Sequence, residues 1–142
     1  MKSINPTLKK SILISNYKGN LKKLINNKSL LYKGFGELYL TSIKKNKIKG
    51  WKLHKKKHSN IFLISGKVMF VFVNILKTKN LYKEYFLDSN INNHIYIPPN
   101  IYFSFKGISK TPATLINFSS LEHDDKEVIN KKINFFGYKW KK

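Results

Sequence analysis

The segment KGWKLHKKKH, Lys49 to His58, concentrates the side chains best suited to chemistry in this 142-residue chain. Imidazole has the proton affinity closest to neutral pH, so His54 qualifies as a general base. A lysine such as Lys52 stabilises a nearby anion, and once desolvated it can take a proton itself. Residues two apart on an extended strand point to one side, so Lys52 and His54 share a face and Trp51 and Leu53 share the other. The first pair faces either a polar pocket or solvent, and the second packs. Lys55, Lys56 and Lys57 read as a solvated turn, His58 as a loop residue and His94 as a strand-edge residue. His123 stands just before Asp124 to Glu127, DDKE, which also reads as a solvated turn. Glu37 is one of only seven acids in a basic chain and a candidate for a buried role, with Tyr39 on the same side of its strand. Tyr102 offers a phenol as proton donor, or a core tyrosine.

Other chemistries find little support. The few carboxylates suggest no paired acid and base, and the GFG at Gly34 to Gly36 is too short to cradle a phosphate. The chain has no cysteine, which removes disulfides and thiolate metal sites and fits a reducing compartment.

The elements that must position these residues are strands. Period-two alternation and β-branched or aromatic runs predict strands over Gly36 to Ile43, Ile48 to His54, Asn60 to Ile64, Lys67 to Ile75, Glu84 to Leu87, His94 to Ile97, Tyr102 to Phe105 and Thr114 to Phe118. Short strands at this spacing predict an all-β jelly roll, a single domain over residues 1–142. Residues 1–18 read as an N-terminal arm and 121–142 as a C-terminal extension with one helical turn before an aromatic end. The run VMFVFV, Val68 to Val73, is apolar on both faces, so it lies in the middle of a sandwich or against a second subunit. Phe135, Phe136, Tyr138 and Trp140 are expected to cover a core or a partner subunit.

The formal net charge of +21 raises nucleic acid as a partner. All 28 basic residues are lysine, however, in a chain also rich in Asn, Ile, Phe and Tyr, all residues of AT-rich codons. Arginine, which makes planar bidentate contacts to phosphate and guanine, is missing. The lysine excess therefore reads as coding drift, with no specific nucleic-acid partner expected. The apolar patch Ile12 to Ile14 is hemmed in by Lys9, Lys10 and Lys18, too short for a signal core or a membrane span. A cytoplasmic protein without membrane insertion is expected.

Two stretches resemble the cupin superfamily: Gly50, Lys52-Leu53-His54, Ser59 and Gly66, then Pro98 to Phe103. Of the four metal-ligand positions this resemblance implies, only His54 can bind, and stable divalent sites take three or four ligands, so neither metal nor cofactor is expected. More specifically, FGELYLTSIKKNKIKGWKLHKK (Phe35 to Lys56), ISGKVMFV (Ile64 to Val71), IYIPPNIYFSFKGIS (Ile95 to Ser109), HDDKE (His123 to Glu127) and YKW (Tyr138 to Trp140) resemble the dTDP-4-dehydrorhamnose 3,5-epimerase family. This resemblance implies a dTDP-linked 4-keto-6-deoxyhexose substrate in surface polysaccharide synthesis, proton abstraction beside the 4-ketone, and a homodimer. It implies catalytic roles for His54, Lys52 and Tyr102, and substrate contacts from Glu37, Tyr39, Lys49, Asn60, Phe103 and His123. Lys52 stands where the family carries its base, and Phe103 where it carries a histidine. Two alternatives stay open: a catalytically inactive sugar-nucleotide-binding cupin, and a basic β-barrel that binds polyanions through its exterior.

Overall fold

The computed structural model describes residues 5–75 and 78–141; the first four residues of the expected arm and the last of the extension lie outside them. Alternating and doubly apolar segments pair into two five-stranded antiparallel sheets. The first is built from β1 (Thr7–Lys10), β9 (Asn93–Ile97), β6 (Ser59–Ser65), β11 (Ala113–Ser119) and β4 (Glu37–Ile43), in that spatial order. The second runs β12 (Val128–Asn130), β5 (Ile48–His54), β10 (Tyr102–Gly107), β7 (Lys67–Ile75) and β8 (Asn80–Asp88). A separate hairpin joins β2 (Ile12–Asn16) to β3 (Gly19–Lys23). This is the single-domain, all-β jelly roll that the strand spacing predicts.

All eight expected strands form, and four more appear: β1, β2, β3 and β12. Those four are short or lysine-rich and lack the apolar alternation that marks a half-buried strand. The C-terminal segment folds as a strand and turns, in place of the expected helical turn.

The inner faces of the sheets meet in a core of Ile61, Leu63, Val68, Phe70, Phe72, Ile95, Ile97, Phe103 and Leu115, all nearly or fully buried. A second cluster lies on the outer face of the second sheet, where Val71 and Val73 pack with Trp51 and Phe136, flanked by Met69, Tyr102, Tyr138 and Trp140. VMFVFV is thus mid-sandwich, and its outer face is covered by this chain's own C-terminal segment rather than by a partner. Trp51 anchors that segment. Its ring meets Phe136 edge-on at 5.2 Å, its Nε1 donates to the Ile133 carbonyl at 2.8 Å, and its backbone exchanges hydrogen bonds with Lys131. Truncating a fully buried aromatic of this kind costs about 3–5 kcal/mol, against total stabilities of about 5–15 kcal/mol. The C-terminal segment and β5 therefore fold as one unit.

His94 is not at an edge. Strand β9 lies between β1 and β6, and the His94 ring is buried against Phe62 (4.6 Å between centroids) with Nδ1 3.1 Å from Ser11 Oγ. Burial, then the charges of Lys22 and Lys9, pull its pKa from 6.5 to about 4. An unfolded chain therefore binds a proton that the fold refuses between these values. Its contribution to stability is complete above pH 6.5 and is lost as pH falls toward 4. We expect the urea midpoint to drop across this window and His94→Gln to flatten the drop; an unchanged slope in that variant would reassign the acid sensitivity.

Candidate functional site

Between the sheets, toward the open end of the sandwich, lies a cavity of about 180 Å³. Strand β5 contributes Lys49, Gly50, Lys52 and His54; β4 contributes Tyr39 and Thr41; β11 contributes Asn117. Ile61, Phe70, Phe103, Phe105 and Leu115 form its apolar wall.

Local geometry in β5 decides which side chains reach this space. In the pairing with β10, Phe103 faces Lys52 and Ser104 faces Gly50, so Trp51 is an extra residue and the strand bulges. Strict alternation would turn Lys49 away from Lys52. The bulge restores it, with Lys49 opposite Phe105 and on the cavity side. The bulge depends on Gly50: its φ is +110°, and a Cβ there would sit 2.7 Å from the Phe103 carbonyl oxygen.

His54 is buried, and its Nδ1 lies 2.7 Å from Glu127 Oε2. The other carboxylate oxygen, Oε1, accepts hydrogen bonds from the backbone N–H groups of Lys56 and Lys57, at 2.9 and 2.8 Å. An anion held in this way requires Nδ1 to donate, which leaves Nε2 with the lone pair. Burial pulls the His54 pKa down, the Glu127 bond pushes it back, and the balance stays below 6.5. Burial pushes Glu127 up, but the Lys56 amide, His54 and the Lys57 amide outweigh it and hold the carboxyl below its ordinary range. His54 is therefore a neutral, oriented imidazole at pH 7. Glu127 carries no sequence signal for this role beyond belonging to a small set of acids; DDKE is a solvated turn only through its first residues, and Glu127 is buried.

Tyr39 stands across the cavity. Its hydroxyl accepts from Asn117 Nδ2 at 2.7 Å, and Ser119 Oγ donates to Asn117 Oδ1 at 2.9 Å. Burial, then Glu37, push the Tyr39 pKa up to about 12, so its phenol keeps its proton as a donor. Glu37 shares Tyr39's face at the strand's end and accepts from Lys57 Nζ at 3.0 Å. Lys57 is only 3% exposed, so this lysine is no solvated turn residue but half of a buried ion pair. Lys49 Nζ donates to the Ser42 carbonyl at 2.9 Å.

Of the nine expected site residues, Lys49, Lys52, His54, Tyr39 and Phe103 meet at the cavity, and Glu37 adjoins it. Three lie elsewhere. Tyr102 alternates with the inward Phe103 and packs on Phe136 at 4.8 Å, on the outer face. Asn60 alternates with the inward Ile61 and donates to the Leu31 carbonyl at 2.9 Å. His123 is exposed and bonded to Asp125 at 3.0 Å. His58 bonds the Tyr96 hydroxyl at 2.7 Å, also away from the cavity. Among the described residues no group of three or more His, Cys, Asp or Glu is placed to hold a metal ion, and no helix is long and apolar enough to cross a membrane.

No curated protein matches this sequence. Among solved structures, the chain is similar to a dTDP sugar isomerase from Desulfovibrio desulfuricans G20, with a TM-score of 0.86 and 20% identity over 96% of this chain and 91% of the other. It is similar to a mutant of the 3,4-ketoisomerase QdtA from Thermoanaerobacterium thermosaccharolyticum in complex with TDP-4-keto-6-deoxyglucose, with a TM-score of 0.75 and 20% identity over 89% and 87%. A dTDP-4-dehydrorhamnose 3,5-epimerase from Bacillus anthracis, with TDP and PPi bound, follows at a TM-score of 0.80 and 14% identity over 94% and 82%. These likenesses share one fold, and the sequence resemblance to the epimerase family reflects it. The narrower assignment comes from residues 4–140, which match the family described as FdtA: WxcM-like, C-terminal. The chain belongs to that WxcM-like, C-terminal family rather than to the epimerases.

Proposed function

We propose that this protein is a sugar-nucleotide isomerase or epimerase that binds a dTDP-linked 4-keto-6-deoxyhexose and moves protons at the carbon beside the ketone. The observation that carries this reading is the buried His54–Glu127 pair opening on a closed, largely apolar cavity. A hydrogen beside a ketone is weakly acidic, and its removal needs a neutral base and donors aimed at the oxygen where charge develops. His54 Nε2 is the base, oriented by Glu127. Tyr39 and Lys52 are the donors, and Lys49 supplies a cation for the diphosphate or the sugar. The family membership and the TDP-4-keto-6-deoxyglucose held by the similar ketoisomerase support the substrate class. The setting is the cytoplasm, in the supply of sugars for surface polysaccharide.

The same reading includes a homodimer. Hairpin β2–β3 exposes Ile12, Leu13, Ile14 and Leu21, and a two-stranded hairpin without cover is marginal in water. A second copy of the chain would supply that cover.

Three outcomes follow. With dTDP-4-keto-6-deoxyglucose in heavy water, NMR will report enzyme-dependent loss of the proton signal beside the ketone, and His54→Gln will slow it on the order of 10²–10⁴-fold with nucleotide affinity unchanged. Undiminished exchange in that variant would remove His54 as the base, and saturable binding without exchange in the parent protein would leave a binding protein. The rate will hold from neutral pH to below 6.5 and fall in acid as His54 protonates. In Glu127→Gln the amide N–H cannot accept from Nδ1–H, so ¹⁵N shifts will move His54 toward the Nε2–H tautomer and exchange will fall with it; an unmoved tautomer would discard the orienting role. Light scattering will give about twice the chain mass of 16.7 kDa, and Ile14→Asp will shift the population to monomer, whereas a monomeric parent would discard the dimer.

A further inference from the structure

One amine on the cavity wall is left without a partner. Lys49 is tied to the Ser42 carbonyl and Lys57 to Glu37. No hydrogen bond or ion pair engages the Lys52 amine among the described residues. Its strand partner across β10 is Phe103, and Phe105 and Phe70 continue the apolar wall. An ammonium in such a place is disfavoured. Burial first, then the charges of Lys57 and Lys49, draw the Lys52 pKa below the ordinary lysine value. Desolvation and neighbouring cations are the two conditions that turn a lysine into a nucleophile toward carbonyl carbon. The oriented imidazole of His54 stands two residues along on the same face.

We infer that Lys52 forms an imine with the ketone of the bound sugar, and that His54 takes the proton from the adjacent carbon of that adduct. This inference rests on the proposed function and specifies its chemistry. The Nζ lone pair adds to the carbonyl carbon, and the carbonyl π electrons move to oxygen, which gains a proton to give a carbinolamine. The nitrogen lone pair then expels that oxygen as water and leaves an iminium. The iminium draws electrons more strongly than a ketone does, so the neighbouring C–H proton passes to His54 Nε2 and its electron pair becomes the C=C bond of an enamine. Return of a proton to either face of that carbon restores the iminium, and water releases the ketone and the free amine. Nothing is oxidised or reduced, and no co-reactant beyond water is needed. Because nitrogen stays on the original carbonyl carbon throughout, this route exchanges or inverts the neighbouring carbon and returns the ketone to C4. Migration of the ketone to C3 would proceed from the free carbonyl instead.

The test is reductive trapping. The full chain is incubated with dTDP-4-keto-6-deoxyglucose and sodium cyanoborohydride, then examined by intact mass and peptide mapping, with proton exchange followed in parallel. The expected product is protein heavier by one sugar nucleotide less one oxygen atom. The adduct should sit on the peptide that contains Lys52, be suppressed by excess dTDP, and be absent from Lys52→Arg and Lys52→Gln. Arginine keeps a positive charge but forms no imine, so Lys52→Arg should lose exchange along with the adduct. Exchange at the parent rate in Lys52→Arg, or exchange in the parent protein with no adduct, would overturn the imine and leave the proposed function standing. An adduct on other lysines that persists in Lys52→Arg would overturn the assignment to Lys52. Absence of both adduct and exchange would overturn this inference together with the function on which it rests.

Discussion

The two-sided strand β5 is the constraint on which the rest of the molecule depends. Outward, Trp51 is fully buried under the C-terminal segment. Inward, Lys49, Lys52 and His54 face the cavity. A regular strand could not do both with this sequence, because alternation would place Lys49 beside Trp51. One extra residue against β10, made possible by the positive φ of Gly50, resolves the conflict. The outward anchor also completes the inward site. Strand β12 pairs with β5 so that Val128 lies opposite His54, which brings Glu127 to the imidazole. The aromatic cover is therefore part of the apparatus that orients the base.

The electrostatics follow from scarcity. Only seven acids serve a chain with 28 lysines, and three of them are committed to particular groups: Glu37 to Lys57, Asp88 to Lys67 and Glu127 to His54. These commitments differ in weight. The Lys67 side chain is about half exposed, and such a pair is worth at most about 1 kcal/mol. Lys57 is nearly inaccessible, so removal of Glu37 would strand a buried charge, which typically costs about 3–5 kcal/mol. Lys57 also adds positive potential at the cavity, acting on both His54 and Lys52. One buried lysine thus helps keep the imidazole neutral and the neighbouring amine easy to deprotonate. The site's character comes from a few desolvated groups and not from the net charge.

Much of the fold was legible in the sequence, and the reason is the period of the strand. Segments with one apolar face, such as Ala113–Ser119, announce both their conformation and their buried side. The strands that went unread, Thr7–Lys10, Ile12–Asn16, Gly19–Lys23 and Val128–Asn130, are held by ladder hydrogen bonds to partners far along the chain or in a hairpin, with little or no burial of their own to mark them. His94 misled for a related reason. A histidine beside asparagines looks like an edge, and only the arrival of β1, more than eighty residues earlier in the chain, buries it.

By itself the sequence determined the class of fold, the sharing of one face by Lys52 and His54, and the packing role of Trp51, because all three depend on local periodicity. Tertiary structure decided what that periodicity does not encode: the bulge that turns Lys49 inward, the outward orientation of Tyr102, and the burial of Lys57. It also supplied the partner of the base. Glu127 lies 73 residues from His54, and nothing local distinguishes it from Asp124 or Asp125. A hydrogen bond between distant strands is a property of register, and register is settled only when both sheets and the covering segment have packed.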